Sequence, residues 1–534
     1  MSDKSAARAA SAAEGVSDAS VAGASPREIE IKFRADKAAV DSLLKSPLLQ
    51  GASVSPAREV HSVYFDTPEK GLHRHGMSLR VRKKGRAAPV LGVKWDGDAS
   101  EGPFSRGEVE VPCPGGQPSL KLFEPALQES LAKLVGEQPL QPVFETRVRR
   151  RVAVFRHRHS DVELSLDDGF IVAGEQRLAV AEAELELKSG NLHDLLDCAA
   201  ALAGEGTLHL DFEAKSDRGY RLASGEAPRP HKAYPIVLRQ DVTFDDLVGL
   251  IVSSTLNHFV ANWAALRESD APEAIHQLRV ALRRMRSALG LFRRVIKLPE
   301  LEDIRLEAKR IATALGPARE CDVFRQNALT GPLRGDGGAL RGAASLLEAV
   351  EARRQQGYAE GRRLLEESST TLFVLRVQGF VHRRAWRTAL APEDLGLLTS
   401  RGHTFAAEVL DRLLRRALKR GRKLRTMPDE QRHELRIALK NLRYAAEFFG
   451  SLFPAEREQK AFLKRVGELQ EDLGIHNDTA TAHSFLESIG LPPDAEIHFA
   501  SGFLLGWYKY ATTVADTQLV KKWKQFKNAD PFWE

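Results

Sequence analysis

The stretch Glu28-Ile29-Glu30-Ile31-Lys32-Phe33 alternates charged and apolar residues with a period of two. A helix would scatter these side chains around its axis, whereas a strand sends residues i, i+2 and i+4 to one face. The segment therefore reads as a strand with one charged face and one apolar face. The alternation returns in Leu79-Arg80-Val81-Arg82 and in Glu108-Val109-Glu110-Val111. It is fullest in Glu182-Ala183-Glu184-Leu185-Glu186-Leu187-Lys188.

A sheet with one solvated face would alternate too, and for any single strand that reading is adequate. Taken together, the strands argue otherwise. Acids gather on some strands and bases on others, and like charges repeated at strand spacing repel unless something neutralises them. A barrel with its charged face inward resolves the conflict. Confined carboxylates bind a hard divalent cation such as Mg2+ or Mn2+ through oxygen, while arginines and lysines grip phosphate oxygens. Buried charge is costly unless paired or metal-bound, so ligand and ion would belong to the stable structure.

A chain of 534 residues is too long for one ordinary core, and its length suggests roughly two to four domains. Cys113, Cys198 and Cys321 are far apart without CxxC spacing, which supports neither a disulfide framework nor a zinc site. No apolar run is long enough to span a membrane. Residues 1–26 are rich in Ala, Ser and Gly, lack the apolar core of a signal peptide, and read as a disordered leader. A cytoplasmic location is the expectation.

Residues 27–222 read as β-rich, with short alternating segments at 28–34, 62–65, 78–83, 89–95, 107–111, 147–155, 162–166 and 179–188. Turn signals such as Asp168-Gly169 and Gly115-Gly116 separate them, and residues 36–44 and 192–202 look helical. A Pro/Gly/Ala-rich stretch places a linker at 223–244. From 245 to 534 the apolar spacing is helical almost throughout.

This helical half repeats itself. His276-Gln277-Leu278-Arg279-Val280-Ala281-Leu282-Arg283 matches His433-Glu434-Leu435-Arg436-Ile437-Ala438-Leu439-Lys440, with Arg286 and Arg443 three residues on. Farther along, Leu315-Gly316-Pro317-Ala318-Arg319-Glu320 resembles Leu473-Gly474-Ile475-His476-Asn477-Asp478. Two related helical bundles, about 245–395 and 396–534, are expected. Helical spacing puts Arg279, Arg283 and Arg286 on one face, and Arg436, Lys440 and Arg443 on its counterpart. Like charges one turn apart destabilise a helix, so the repeated face suggests a polyanion. A second basic run extends from Arg412 to Arg425. The net charge of +6 is modest; its bunching on these helices says more than its sum. No partner carboxylate or second histidine lies at ligand spacing from His276 or His433, so a structural hydrogen bond or a phosphate contact is expected of them.

The first half resembles the CYTH, or triphosphate tunnel, family. The likeness rests on Glu28-x-Glu30-x-Lys32, Tyr64-Phe65-Asp66-Thr67-Pro68, Leu79-Arg80-Val81-Arg82 and Val93-Lys94. It continues through Arg106-Gly107-Glu108, Leu164-Ser165-Leu166-Asp167-Asp168-Gly169, the 182–190 segment, and Lys215-Ser216-Asp217-Arg218-Gly219-Tyr220. The resemblance implies an eight-stranded antiparallel tunnel that binds triphosphates with Mg2+ or Mn2+. It assigns Glu28, Glu30, Asp167, Glu184 and Glu186 to the metal, with Glu108 and Glu182 less clearly placed. Lys32, Arg80, Arg82, Lys94, Lys215 and Arg218 become the phosphate clamp, and Glu28, Glu30, Lys32 and Lys94 the catalytic set. One more inward arginine is expected from 147–151. The resemblance favours Arg150, while Arg147, Arg149 and Arg151 share the opposite face.

The second half resembles the CHAD family of histidine-containing helical domains. That likeness implies two four-helix bundles bordering a basic pore or groove for inorganic polyphosphate, built from His276, Arg279, Arg283, Arg286, Arg319, His433, Arg436, Lys440 and Arg443. Glu320-Cys321-Asp322 departs from the family's Arg-Asp-x-Asp. DNA is a weaker candidate, because no helix-turn-helix or aromatic stacking platform is evident. The order CYTH then CHAD implies hydrolysis of inorganic triphosphate to pyrophosphate and phosphate, by direct attack of water since no nucleophile stands beside a base. Association with polyphosphate granules would follow. The rivals are a nucleotide-acting tunnel, cyclase or nucleoside triphosphatase, and a polyphosphate-binding scaffold with a weak or inactive tunnel.

Overall fold

The computed structural model describes residues 27–97, 102–204, 208–334 and 340–534; the proposed leader, 1–26, lies outside them. The chain divides into two compact units. One is β-rich, ends at Pro228 and includes Glu366–Leu375; the remainder is helical.

Ten strands form the first unit: β1 (Arg27–Arg34), β2 (Ser53–Val54), β3 (Arg58–Asp66), β4 (Met77–Lys84), β5 (Val90–Asp96), β6 (Ser105–Pro112), β7 (Gln141–His157), β8 (Ser160–Ala173), β9 (Gln176–Ser189) and β10 (His209–Asp211). Eight of them run in the order β1-β6-β5-β4-β3-β7-β8-β9, and β9 pairs back with β1. The result is a closed antiparallel barrel, which removes the exposed edges of an open sheet. The short β2 and β10 add onto β7 and β1. Outside the barrel, Leu79, Val81, Leu91 and Val93 bury their apolar face with Phe123, Leu127 and Leu131, the last two on the helix Pro125–Val135. Alternation then obliges the charged residues of the same strands to point inward.

The predicted helices at 36–44 and 192–202 are found at Lys37–Leu43 and Leu192–Gly204, the first capped by the Asp36 carboxylate accepting from Ala39 N at 2.7 Å. Two other helices, Pro125–Val135 and Lys215–Ser224, lay outside the sequence reading. Asp168-Gly169 is not a turn but the middle of β8. A Cβ on Gly169 would sit 2.1 Å from the Arg147 carbonyl oxygen, so this glycine serves close strand approach. Residues 226–239 carry no regular structure.

In the helical unit the repeat is visible as matched helices. Phe244–Val260, Pro272–Phe292 and Ala343–Glu366 correspond to Gly402–Arg420, Asp429–Phe449 and Ala495–Lys527. Between them, Pro299–Ala314 and Gly316–Thr330 occupy the place of the single helix Glu456–Ser488. Proline explains the difference. Pro317 has no N–H for the helical ladder and starts a new helix, whereas Ile475 at the matched position lets the second helix run on. The repeats share a core in which Phe324, Leu346 and Val350 pack with Phe485, Ile497 and Leu504. Among the described residues no helix is long and apolar enough to cross a membrane. Cys113, Cys198 and Cys321 are free and buried.

Candidate functional site

Ladder register aligns the inward charges into rings. Lys32 on β1 faces Glu184 on β9, Asp167 on β8 faces Glu182 on β9 and Arg150 on β7, and Lys94 on β5 faces Glu108 on β6. All of these but Glu182 line a cavity of about 230 Å³. Of the sequence-predicted residues, Glu28, Glu30, Lys32, Arg80, Arg82, Lys94, Arg150, Asp167, Glu184, Glu186 and Lys215 all line it. The choice within 147–151 is settled in space: Arg150 points inward, and Arg147 lies exposed against Glu145. Lys84, Arg106, Glu108, Glu110, Glu163 and Lys188 also line the cavity. Arg106, Glu108, Glu110 and Lys188 lie within the alternating motifs themselves, with Glu108 less clearly placed by the resemblance, whereas Lys84 and Glu163 continue the same alternation beyond them.

The acids meet on β8 and β9. One carboxylate oxygen each from Asp167, Glu182 and Glu184 lies within 4.8 Å of the others. An all-oxygen donor set of this charge suits a hard divalent cation. Glu28, Glu30 and Glu186 are not in that cluster; Glu28 pairs with Lys94, Glu30 with Lys32 at 2.6 Å, and Glu186 with Lys188 at 2.7 Å. Arg150 forks onto Asp167 (Nε–Oδ1 2.7 Å, Nη2–Oδ2 2.6 Å) and reaches Glu184 at 2.8 Å. Lys215 Nζ stands among the three acids, 2.7 Å from Asp167, 3.0 Å from Glu184 and paired with Glu182. Across the cavity Arg80 bridges Glu108 (2.7 Å) and Glu110 (3.3 Å), and Arg82 also pairs with Glu110.

Arg218 is placed differently from the expected clamp. It is not among the cavity-lining side chains; it is buried behind the wall with its guanidinium donating to Glu182. The helix carrying both cations, Lys215–Ser224, is anchored by a residue whose role the sequence left unstated. Asp66 is fully buried and accepts from Thr67 N (2.7 Å), Leu72 N (2.9 Å), His73 N (3.0 Å) and the Tyr220 hydroxyl (2.9 Å). Gly219 permits the docking, since a Cβ there would collide with the Phe144 ring at 2.1 Å.

Charge pairing sets the protonation of this interior. Burial disfavours ionised carboxylates, but Lys32, Lys94 and Arg106 together hold Glu30 well below the usual carboxylate range. Against the same burial, Lys215 and Arg150 hold Asp167 below its ordinary value. Glu184 moves upward, through burial and the nearby Glu30 and Asp167 charges. Burial, with Arg150 and Lys32 nearby, brings the Lys215 ammonium down to about 7.

The helical unit assembles the second predicted constellation from both repeats. Pro272–Phe292 and Asp429–Phe449 lie against each other, joined by Arg284 Nη1 to Glu447 (2.6 Å) and Ser287 Oγ to Asn441 (3.3 Å). Their basic faces converge. Lys440 is lowered to about 8 by burial and by Arg436, Arg283, Arg279 and Arg286, so cations of both repeats act on one ammonium. His276 falls to about 4 through burial and the charges of Arg319, Arg283 and Arg279. His433 is exposed on the matching helix, and Arg443 turns to Glu447 at 2.9 Å. The Leu-Gly motifs lie beneath these arginines: a Cβ on Gly316 would be 3.3 Å from Arg279 Nη1, and one on Gly474 would be 3.6 Å from Arg436 Nη2. The side chains of His476, Asn477 and Asp478 lie outside the described residues. In the departing segment, Asp322 makes the buried pair with Arg354 (2.8 Å) and accepts from the Tyr358 hydroxyl (3.0 Å), while Glu320 is exposed.

The CYTH domain model matches residues 26–220 and the CHAD domain model residues 250–487. The chain therefore joins a CYTH domain to a CHAD domain. Among characterised relatives, the inorganic triphosphatase of Haemophilus influenzae is 32% identical over 171 residues, which is 30% of this chain and 46% of that protein. The match thus spans less than half of that relative. An uncharacterised Mycobacterium tuberculosis protein is 26% identical over 521 residues, covering 89% of this chain and 92% of the relative. Among solved structures, the CHAD domain of the plant Ricinus communis is 27% identical, with 57% of this chain and 93% of that chain covered and a TM-score of 0.43. A Hippeastrum putative adenylyl cyclase described as having a dominant triphosphatase activity is 21% identical, with 37% of this chain and 96% of that chain covered and a TM-score of 0.28.

Proposed function

We propose that the barrel hydrolyses inorganic triphosphate to pyrophosphate and phosphate with Mg2+ or Mn2+, and that the helical domain binds inorganic polyphosphate. One observation carries the reading: three convergent carboxylates, two of which line the charged cavity, stand across the barrel from the arginines of β4. Asp167, Glu182 and Glu184 would hold the cation, with Glu28, Glu30 and Glu186 completing the acidic side. A bound divalent cation would polarise a phosphoryl oxygen and help activate water. Lys32, Arg80, Arg82, Lys94 and Arg150 supply positive charge for the phosphate chain, and Lys215 exchanges its acidic partners for phosphate oxygens. Arg218 positions Glu182. The Haemophilus influenzae relative, an inorganic triphosphatase, points the same way.

The Arg279, Arg283, Arg286, Arg436 and Lys440 cluster supports polyanion binding, since it gathers like charges that a string of phosphates would neutralise. His276, His433, Arg319 and Arg443 would border that site. The protein would then work in the cytoplasm, free or on polyphosphate granules. Phosphate release measured across chain lengths, nucleotides and metals separates this reading from a cyclase, a nucleoside triphosphatase or an inactive scaffold.

A further inference from the structure

Among the described residues, one face of the helix Ala495–Lys527 presents an exposed apolar stripe. Phe499, Phe503, Tyr510 and Val514 are 49%, 47%, 68% and 50% exposed. At about 100° per residue, all four fall within roughly 60° of arc. Gly502 and Gly506 border the same face, and a Cβ on either would meet open space. Glycine inside an exposed helix weakens it unless the missing side chain serves an approach. The Arg341 guanidinium lies over the Phe499 ring at 5.5 Å, which covers only one end of the stripe.

We propose that this stripe is a dimer interface, occupied by the same helix of a second copy running antiparallel. The spacing argues for self-pairing. About a two-fold axis near Gly506, Phe503 comes opposite Tyr510 and Phe499 opposite Val514, so each aromatic meets an apolar partner. Charge agrees: the helix begins with Asp494 and Glu496 and carries exposed Lys521 and Lys524 near its end, so antiparallel pairing brings acid beside base. A parallel arrangement would set like charges together. The exposed halves of three aromatics and a valine amount to roughly 350 Å² per copy. A stable interface buries about 800 Å² per partner, so the stripe would form its apolar centre and the polar flanks of this 33-residue helix would have to contribute the rest. Gly506, at the crossing, lets the two backbones approach.

Sedimentation of the full-length protein over a wide dilution range tests this. The wild type should dimerise, and Phe503→Glu combined with Tyr510→Glu should weaken association by roughly a hundredfold or more, with far-UV circular dichroism and phosphate release unchanged. Gly506→Cys should cross-link to its own copy with a short bis-maleimide, because Cys113, Cys198 and Cys321 are buried. That result does not depend on the double variant folding. A wild type that stays monomeric would overturn the proposal. So would a dimer that survives the double variant, absence of the Gly506→Cys cross-link, or a stripe that captures only a different protein.

Discussion

Tyr220 donates its hydroxyl to the buried Asp66 carboxylate at 2.9 Å, tying the helix that carries Lys215 and Arg218 to the turn after β3. Hydrogen bonds to a charged group contribute about 1.5–3 kcal/mol. Tyr220→Phe should lower unfolding free energy by about that amount in a denaturant titration. It should also reduce triphosphate turnover, because Lys215 loses its fixed position. Undiminished stability would show that the tie does not anchor the helix.

Arg150 tests whether fork geometry or charge alone matters. Its two nitrogens engage both oxygens of Asp167. Lysine keeps the charge but cannot fork. Losing one charge-assisted bond of about 1.5–3 kcal/mol predicts a roughly 10- to 100-fold fall in kcat/KM for Arg150→Lys. A variant within twofold of wild type would mean that Arg150 acts as a point charge.

If the helical domain binds polyphosphate as proposed, Lys440 should make that binding pH-dependent. With its ammonium lowered to about 8 in the free protein, it is partly neutral above that pH. A bound polyanion favours the charged form, so binding should take up protons between about pH 8 and the ordinary lysine value. The sign for folding is opposite: the unfolded state holds this proton longer, so folding releases it, and the group's cost is full below pH 8 and fades as pH rises towards 10.5. Calorimetry in two buffers of different ionisation enthalpy should reveal the uptake, and Lys440→Met should abolish it.

Asp322 is a prediction about stability alone. It pairs with Arg354, and both side chains are nearly inaccessible. Removing one partner of a buried pair costs about 3–5 kcal/mol, and Arg354 would lose its buried carboxylate partner and keep the partly exposed Glu351, at 3.0 Å. Asp322→Ala should therefore destabilise the helical domain strongly in chemical denaturation while leaving the barrel's phosphate chemistry intact.

Much of this was legible in the sequence because strand alternation is a local signal. Each of the eight predicted segments lies in one of the eight barrel strands, and the inward charges followed from the period of two. The repeated His-x-x-Arg faces were visible for the same reason. What escaped depends on contacts between distant residues. Gly169 resembles a turn glycine until β7 is seen against it, and Gly219 hides a short helix until Phe144 is beneath it. Nothing local tells Arg218, behind the wall, from Lys215, inside the cavity. Glu182 was less clearly placed than Glu184, yet register brings it opposite Asp167. The convergence of Lys440 with arginines of the other repeat is likewise a fact of packing.

The central claim rests on the chemistry of the barrel, and product analysis tests it most directly. Purified protein should convert tripolyphosphate to equal amounts of phosphate and pyrophosphate, only with Mg2+ or Mn2+ present, and with ATP and GTP poorer substrates. Glu30→Gln should abolish that release while leaving long-chain polyphosphate binding intact. Formation of cyclic AMP from ATP, or phosphate release indifferent to both metal and Glu30→Gln, would contradict it.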